Sequence, residues 1–199
     1  MITTLLTALL FTGNVHAAEP FGAVEIGKPA PAFSLPDLAG ETVSLADHKG
    51  KVVVLEWFNP GCPFVKQAHG DAGGLETMAS SWTDKDVVWL AINSGAPGKQ
   101  GTGVDTNKKA QKDWSMKHPI LLDESGEVGR AYAAKTTPQM VVIDPKGTQV
   151  YNGALDNAPF GKPKGDVLDP ITERVLAAVT AGEASPQGQS KPYGCSVKY

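Results

Sequence analysis

With 199 residues, 41% of them hydrophobic and 20% charged, the chain is long enough to bury one well-packed core and has the composition of an ordinary globular protein. Its net charge of −3 is spread along the sequence without a basic cluster, which excludes the electrostatic footprint of a nucleic-acid or anionic-membrane binder and leaves small molecules or other proteins as partners. Two cysteines, Cys62 and Cys195, are too few for a disulfide scaffold, so hydrophobic packing must carry the fold.

Met1 to Ala17 has no Asp, Glu, Lys or Arg, contains the apolar run from Leu5 to Phe11, and closes on Val15-His16-Ala17. That ending reads as a secretory signal peptide cleaved after Ala17, although the basic residue that usually precedes the run is missing. The expectation is a periplasmic or secreted protein, with a domain over residues 18–182 and a tail over 183–199. No segment reaches the roughly 18 apolar residues of a membrane span.

Phe33-Ser34-Leu35 and Thr42-Val43-Ser44-Leu45 flank turn residues Asp37 to Gly40 and predict a hairpin. Lys51 to Trp57 is a near-continuous apolar run, the pattern of a central strand buried on both faces. Cys62 follows it, and Pro63 suits the first turn of a helix that continues over Phe64 to His69. A second helical piece is predicted over Leu75 to Trp82, a second buried strand over Val87 to Asn93, and a polar, Gly-rich loop over Ser94 to Asp105. A helix from about Thr106 to Lys117 is closed by Pro119. Then come a short strand, Ile120 to Leu122, a helical turn around Val128 to Ala133, and Thr136-Thr137-Pro138. Strands Gln139 to Ile143 and Gln149 to Asn152 form a hairpin across Pro145-Lys146-Gly147. The last helix is predicted to be capped by Asp169, to take Pro170 at its first position and to stop at Gly182, with Ile171, Val175 and Val179 on one face. This order implies an α/β domain with parallel central strands and an antiparallel hairpin, whose chemistry sits at the carboxyl ends of strands, where Cys62 lies.

A thiol at a helix start faces backbone N–H groups and the positive end of the helix dipole, both of which favour thiolate. The stretch from Trp57 to Lys66, which follows a buried strand, resembles the active-site loop of the thioredoxin superfamily. Cys62 matches the first cysteine of that loop and Val65 falls where the second belongs, so a local dithiol is excluded. Thr137-Pro138 matches the loop whose cis-proline faces the cysteine, and Glu56 matches a buried acid of thioredoxins. The resemblance implies a thioredoxin-like fold, a central mixed sheet flanked by helices with an N-terminal hairpin extension, and a partner held at Thr137 and Pro138. Glu56 has two readings, a general acid or base near the thiol and an acid tied into a hydrogen-bond network.

Over about residues 26–199 the chain resembles peroxiredoxin-like redoxins, through Gly27 to Phe33, Pro138 to Gly153 and the ending Lys191 to Lys198. Where true peroxiredoxins place a peroxide-holding Thr, this chain has Asn59, which weakens the antioxidant reading. Cys195 has three readings: a resolving thiol for Cys62, a structural disulfide with it, or a free tail cysteine. Lys66 and His69 share a helix face with Cys62, read as an exposed polar face, with copper binding as the alternative. The loop Gly95 to Gln100 has Asn93 and Gln100 where a phosphate loop needs Gly and Ser or Thr, which rejects nucleotide binding. The four tryptophans read as core.

The resulting expectation is a thiol-disulfide oxidoreductase acting through Cys62 on an oxidised thiol or disulfide protein and regenerated by a reducing partner. Catalytic residues are Cys62, Cys195 and Glu56, substrate-binding residues are Thr137 and Pro138, and no cofactor or metal is needed. Peroxide reduction, and a non-catalytic partner- or copper-binding protein with a structural Cys62–Cys195 bond, are the alternatives.

Overall fold

The computed structural model describes residues 25–70 and 73–199. The predicted signal peptide and its cleavage point lie outside the described residues. Five strands form the main sheet: β3 (Val53–Trp57), β4 (Val88–Asn93), β5 (Ile120–Leu122), β7 (Gln139–Ile143) and β8 (Gln149–Gly153). Their order is β5-β4-β3-β7-β8, with β3, β4 and β5 parallel and β7 and β8 antiparallel to their neighbours. The predicted N-terminal hairpin is present as β1 (Ser34–Pro36) paired with β2 (Thr42–Ser44).

Every residue of β3 is buried, as expected of a strand covered on both faces. Alternation along it divides the core. Val54 packs with Trp89, Met140, Val142 and the inner faces of α2 (Leu75–Thr83) and α5 (Ile171–Thr180). Val53, Leu55 and Trp57 face the other way, toward Phe33, Leu35 and Tyr132. Glu56 shares the parity of Val54, so its carboxylate points into the layer beneath the helices.

Two predicted helix boundaries change. The third helix, α3, runs over Val104–Asp113 instead of 106–117, because Ser115 adopts φ 54°, a left-handed conformation that a helix cannot continue through. At α5, Asp169 does not cap the helix. Its carboxylate is taken by the Arg174 guanidinium, at 2.7 and 3.1 Å, and Pro170 occupies the capping position. Gly182, at φ 79°, ends α5 as expected, with Glu183 N–H returning to the Ala178 carbonyl.

After α5 the chain doubles back over the sheet. The Ser190 hydroxyl lies 2.6 Å from the Tyr151 hydroxyl and accepts from Ala154 N–H at 2.8 Å. The tail ends in a two-residue strand, β9 (Cys195–Ser196), antiparallel to β6 (Thr136–Thr137).

Candidate functional site

Cys62 sits at the carboxyl end of β3, as the residue preceding α1 (Pro63–His69), with Pro63 in the first helical turn. The loop that delivers it is tied at both ends. Asn59 Oδ1 accepts from Gly61 N–H at 2.8 Å, Asn59 Nδ2 donates to the Gln100 carbonyl at 3.0 Å, and Gln100 Nε2 donates to the Gly61 carbonyl at 3.2 Å. Gly101 must be glycine here, since a Cβ would stand 1.9 Å from Asn59 Oδ1 and its φ is +77°. The Gly-rich loop after β4 is thus a brace for the Cys62 loop. Asn59, at the position where the sequence lacks the peroxide-holding Thr, is used in that brace.

Thr137-Pro138 has a cis peptide bond and lies against the cysteine, with Cys62 Sγ donating to the Thr137 carbonyl at 3.1 Å. The register of β6 and β9 sets Cys195 opposite Thr137. This brings together two thiols far apart in sequence: Cys195 packs into the cluster that holds Cys62, within hydrogen-bonding reach, and both are free thiols.

The two thiols are electrostatically unequal. Burial pushes the Cys62 thiol up, yet hydrogen bonds from the Cys195 thiol, the Thr137 hydroxyl and the N–H groups of Val65 and Cys195 outweigh it and leave its pKa below the ordinary value of 9.0. Burial, the hydrogen bond to Cys62 and the charge on Cys62 push Cys195 up to about 11. Cys62 is therefore the more acidic of the two thiols, and Cys195 the one that holds its proton more tightly.

Thr137 Oγ1 is buried and makes no other hydrogen bond among the described residues, so its one donor is available to Cys62. A buried hydroxyl without a partner is costly, and a thiolate at Cys62 supplies the acceptor it lacks. Thr137→Val should keep the packing but remove that donor, reducing the thiolate population at a fixed pH below the Cys62 pKa by about 10- to 100-fold. Thiolate ultraviolet absorbance against pH, in a Cys195→Ser background, reads this directly. A profile matching the Thr137 parent would refute the assignment.

Behind Cys62 lies a buried ionic cluster that the sequence only partly announced. His69 Nε2 is 2.7 Å from Glu56 Oε1, His69 Nδ1 is 2.5 Å from Glu76 Oε1, and Trp89 Nε1 donates to Glu56 Oε2 at 3.1 Å. The His69 ring is buried, stacked on Trp114 at 5.2 Å, which corrects the reading of Lys66 and His69 as an exposed face: Lys66 alone is exposed. Trp57, Trp82 and Trp89 are core as expected, but Trp114 is only partly buried and serves as the lid of His69. Burial lowers the His69 pKa, but Glu56 and Glu76 overcome it and hold it at about 9, so His69 is cationic at neutral pH. Glu56 stays ionised despite complete burial, its pKa pulled below 4.5 by His69. His118 is kept neutral by burial, with Nδ1 3.9 Å from Glu76 Oε2.

Both ring nitrogens of His69 are committed to carboxylates, and among the described residues no group of three or more His, Cys, Asp or Glu is arranged to hold a metal. The hydrogen bonds of Glu56 run to His69 and Trp89; among the described residues it makes none to Cys62. A lone acid in an otherwise apolar strand was the sequence signal that a buried cation must face it. Glu76 and Trp89 carried no such mark.

A family model for the AhpC/TSA family matches residues 26–151. The chain belongs to the AhpC/TSA family. The match stops before the tail, so Cys195 and the strand that carries it lie beyond the AhpC/TSA region. Among sequence relatives, "Thiol-disulfide oxidoreductase ResA" of Bacillus thuringiensis subsp. konkukian is 28% identical over 124 residues, covering 62% of this chain and 66% of that protein, just under two thirds of its length. A crystal structure of an uncharacterized conserved protein from Geobacillus kaustophilus superposes with TM-score 0.79 at 30% identity, covering 91% of this chain and 95% of the other. A putative thiol:disulfide interchange protein DsbE from Chlorobium tepidum, 24% identical, shares the fold at TM-score 0.56 over 65% of this chain and 85% of its own. The fold is thioredoxin-like, with a mixed sheet flanked by helices.

Proposed function

We propose that the protein is a thiol-disulfide oxidoreductase that works through Cys62, with Cys195 as the resolving thiol, in an extracytoplasmic compartment. The observation that carries this reading is the register of β6 and β9, which sets Cys195 beside a thiol whose pKa is held down. Similarity to the relative named ResA supports the activity, and the N-terminal leader pattern supports the compartment. Cys62 thiolate attacks a disulfide of an oxidised protein and forms a mixed disulfide as one substrate thiol leaves. Cys195 then attacks the Cys62 sulfur, releasing the second substrate thiol and leaving a Cys62–Cys195 disulfide, which a reducing partner returns to two thiols.

The pair's reduction potential tests the proposal. Equilibration in glutathione buffers, followed by alkylation and mass spectrometry of the two cysteines, should give a value near about −200 mV or above. A potential below about −300 mV would mark a structural bond and overturn the proposal.

A further inference from the structure

Cys62 and Cys195 are the protein's two cysteines, both are free thiols, and a hydrogen bond joins them. Nothing local brings them together. Cys62 is fixed as the residue before α1, and Cys195 is carried to it by β9, whose register sets it opposite Thr137. That delivery is secured on both sides. Upstream, a Cβ on Gly194 would stand 2.0 Å from the Thr137 carbonyl oxygen, and Tyr193 Oη donates to Asp156 Oδ1 at 2.5 Å. Downstream, Val197 N–H donates to the Lys135 carbonyl at 3.1 Å, and Ala96 N–H to the Lys198 carbonyl at 2.8 Å. Cys62 has 0% exposure and Cys195 is half-buried, so a small ion meets the pair from the Cys195 side.

We propose that Cys62 and Cys195 together form a two-coordinate site for one cuprous ion, Cu(I), held between their sulfurs. The number and softness of the donors select the ion. Thiolates favour Cu(I), zinc and iron–sulfur clusters, but structural zinc takes four ligands and iron–sulfur clusters are held by four residues. Here the soft donors stop at two. His69 has both ring nitrogens on carboxylates, and no group of three or more His, Cys, Asp or Glu gathers among the described residues. What else faces Cys62 is a hard oxygen, the Thr137 carbonyl at 3.1 Å, or a hydrogen-bond donor: the Thr137 hydroxyl and the N–H groups of Val65 and Cys195. A closed-shell monovalent ion, for which two thiolates suffice, fits that set. Charge fits as well. The ionised pair, one thiolate hydrogen-bonded to one thiol, carries −1, and so does Cu(I) between two thiolates. The ion takes the place of the proton that the sulfurs share, so the donors that stabilise the thiolate serve the loaded site unchanged, and Lys198 adds a cation on the Cys195 side. Zn(II) on the same sulfurs would be neutral and short of ligands. Loading is a substitution: two Cu–S bonds form, the Cys195 S–H bond breaks, one proton leaves, and no electron is transferred. The site needs both thiols reduced and does not depend on exchange at Cys62.

The test titrates the full, reduced chain, under anaerobic conditions, into the coloured complex of Cu(I) with bicinchoninate. The protein should withdraw one equivalent of Cu(I), and X-ray absorption at the copper edge should show two sulfur neighbours and no nitrogen. Cys62→Ser and Cys195→Ser should each weaken retention by about 100-fold or more, since loss of a direct donor exceeds the roughly 10- to 100-fold cost of outer-shell changes. Excess Zn(II) should leave the copper in place. The parent oxidised to the Cys62–Cys195 disulfide repeats the test without any substitution and should retain no copper. A reduced parent that withdraws none, three sulfurs per copper in a bridged cluster, displacement by Zn(II), or copper kept by the disulfide form or by either single variant overturns the site. Exchange with a peptide disulfide is measured on the copper-free protein, and its absence removes the exchange reading without touching the copper site.

Discussion

Replacing His69 with alanine is expected to cost about 3–5 kcal/mol of folding stability, the penalty for removing one partner of a buried ion pair and stranding the others. Glu56 is wholly buried and ionised because His69 faces it at 2.7 Å. Without that cation, the Trp89 N–H is the donor left to it. The pH dependence separates this from a simple cavity effect. The native state holds the His69 proton to about 9 against 6.5 when unfolded, so the contribution is complete below pH 6.5 and is lost as pH rises through 9. The depressed Glu56 contributes stability that is complete above 4.5 and is lost as pH falls through its lower folded value. Together they place maximal support between pH 4.5 and 6.5. Facing His69 are Glu56, Glu76 and the neutral His118, so no second cation takes over. Melting midpoints in the parent should hold steady between pH 4.5 and 6.5 and fall as pH rises from 6.5 through 9. His69→Ala should lose that slope and melt about 10 °C lower. A variant melting within about 3 °C of the parent, with the same slope, would refute the ion-pair account.

The parts of the molecule governed by local pattern were legible in the sequence. The apolar run ending at Trp57, the Cys62-Pro63 helix start, the Pro145-Lys146-Gly147 hairpin and the Gly182 stop all follow from burial, backbone geometry and turn chemistry. The boundaries that moved were set by contacts that pattern does not encode. Asp169 is drawn from its cap by Arg174, and Ser115 ends α3 early in a left-handed conformation. The same division runs through the site. Cys62 and Thr137-Pro138 stand out locally, but the approach of Cys195 depends on where a polar, Pro- and Gly-rich tail travels after α5. No periodicity in residues 183–199 reports that path. Glu56 was conspicuous as a charge in a buried strand, yet its partner His69 looked like part of a surface face, because helical spacing gives a residue's direction and not what lies in front of it.

Cys62→Ser should abolish exchange, reducing the rate with a peptide disulfide by about 100-fold or more, whereas Cys195→Ser should leave the first attack in place and accumulate up to one equivalent of mixed disulfide on Cys62. The asymmetry follows from the two pKa values. With Cys195 at about 11, its thiolate is roughly one part in ten thousand at neutral pH, while Cys62 is drawn below the ordinary thiol value. The arrangement also times the second step. Two of the causes that raise Cys195, its hydrogen bond to Cys62 and the charge on Cys62, disappear when Cys62 is consumed in a mixed disulfide. Cys195 then becomes more acidic at the moment its attack is required, and burial alone still restrains it. Single-turnover mixing with acid quench and mass spectrometry resolves both steps, and the first should quicken with pH along a limb that lies below 9.0. Mixed disulfide found on Cys195 in the otherwise unaltered protein would reverse the assignment of attacker and resolver. Equal loss of the first step in both variants would mean that the thiols act as one unit, with the Cys195 proton needed to form the Cys62 thiolate at all.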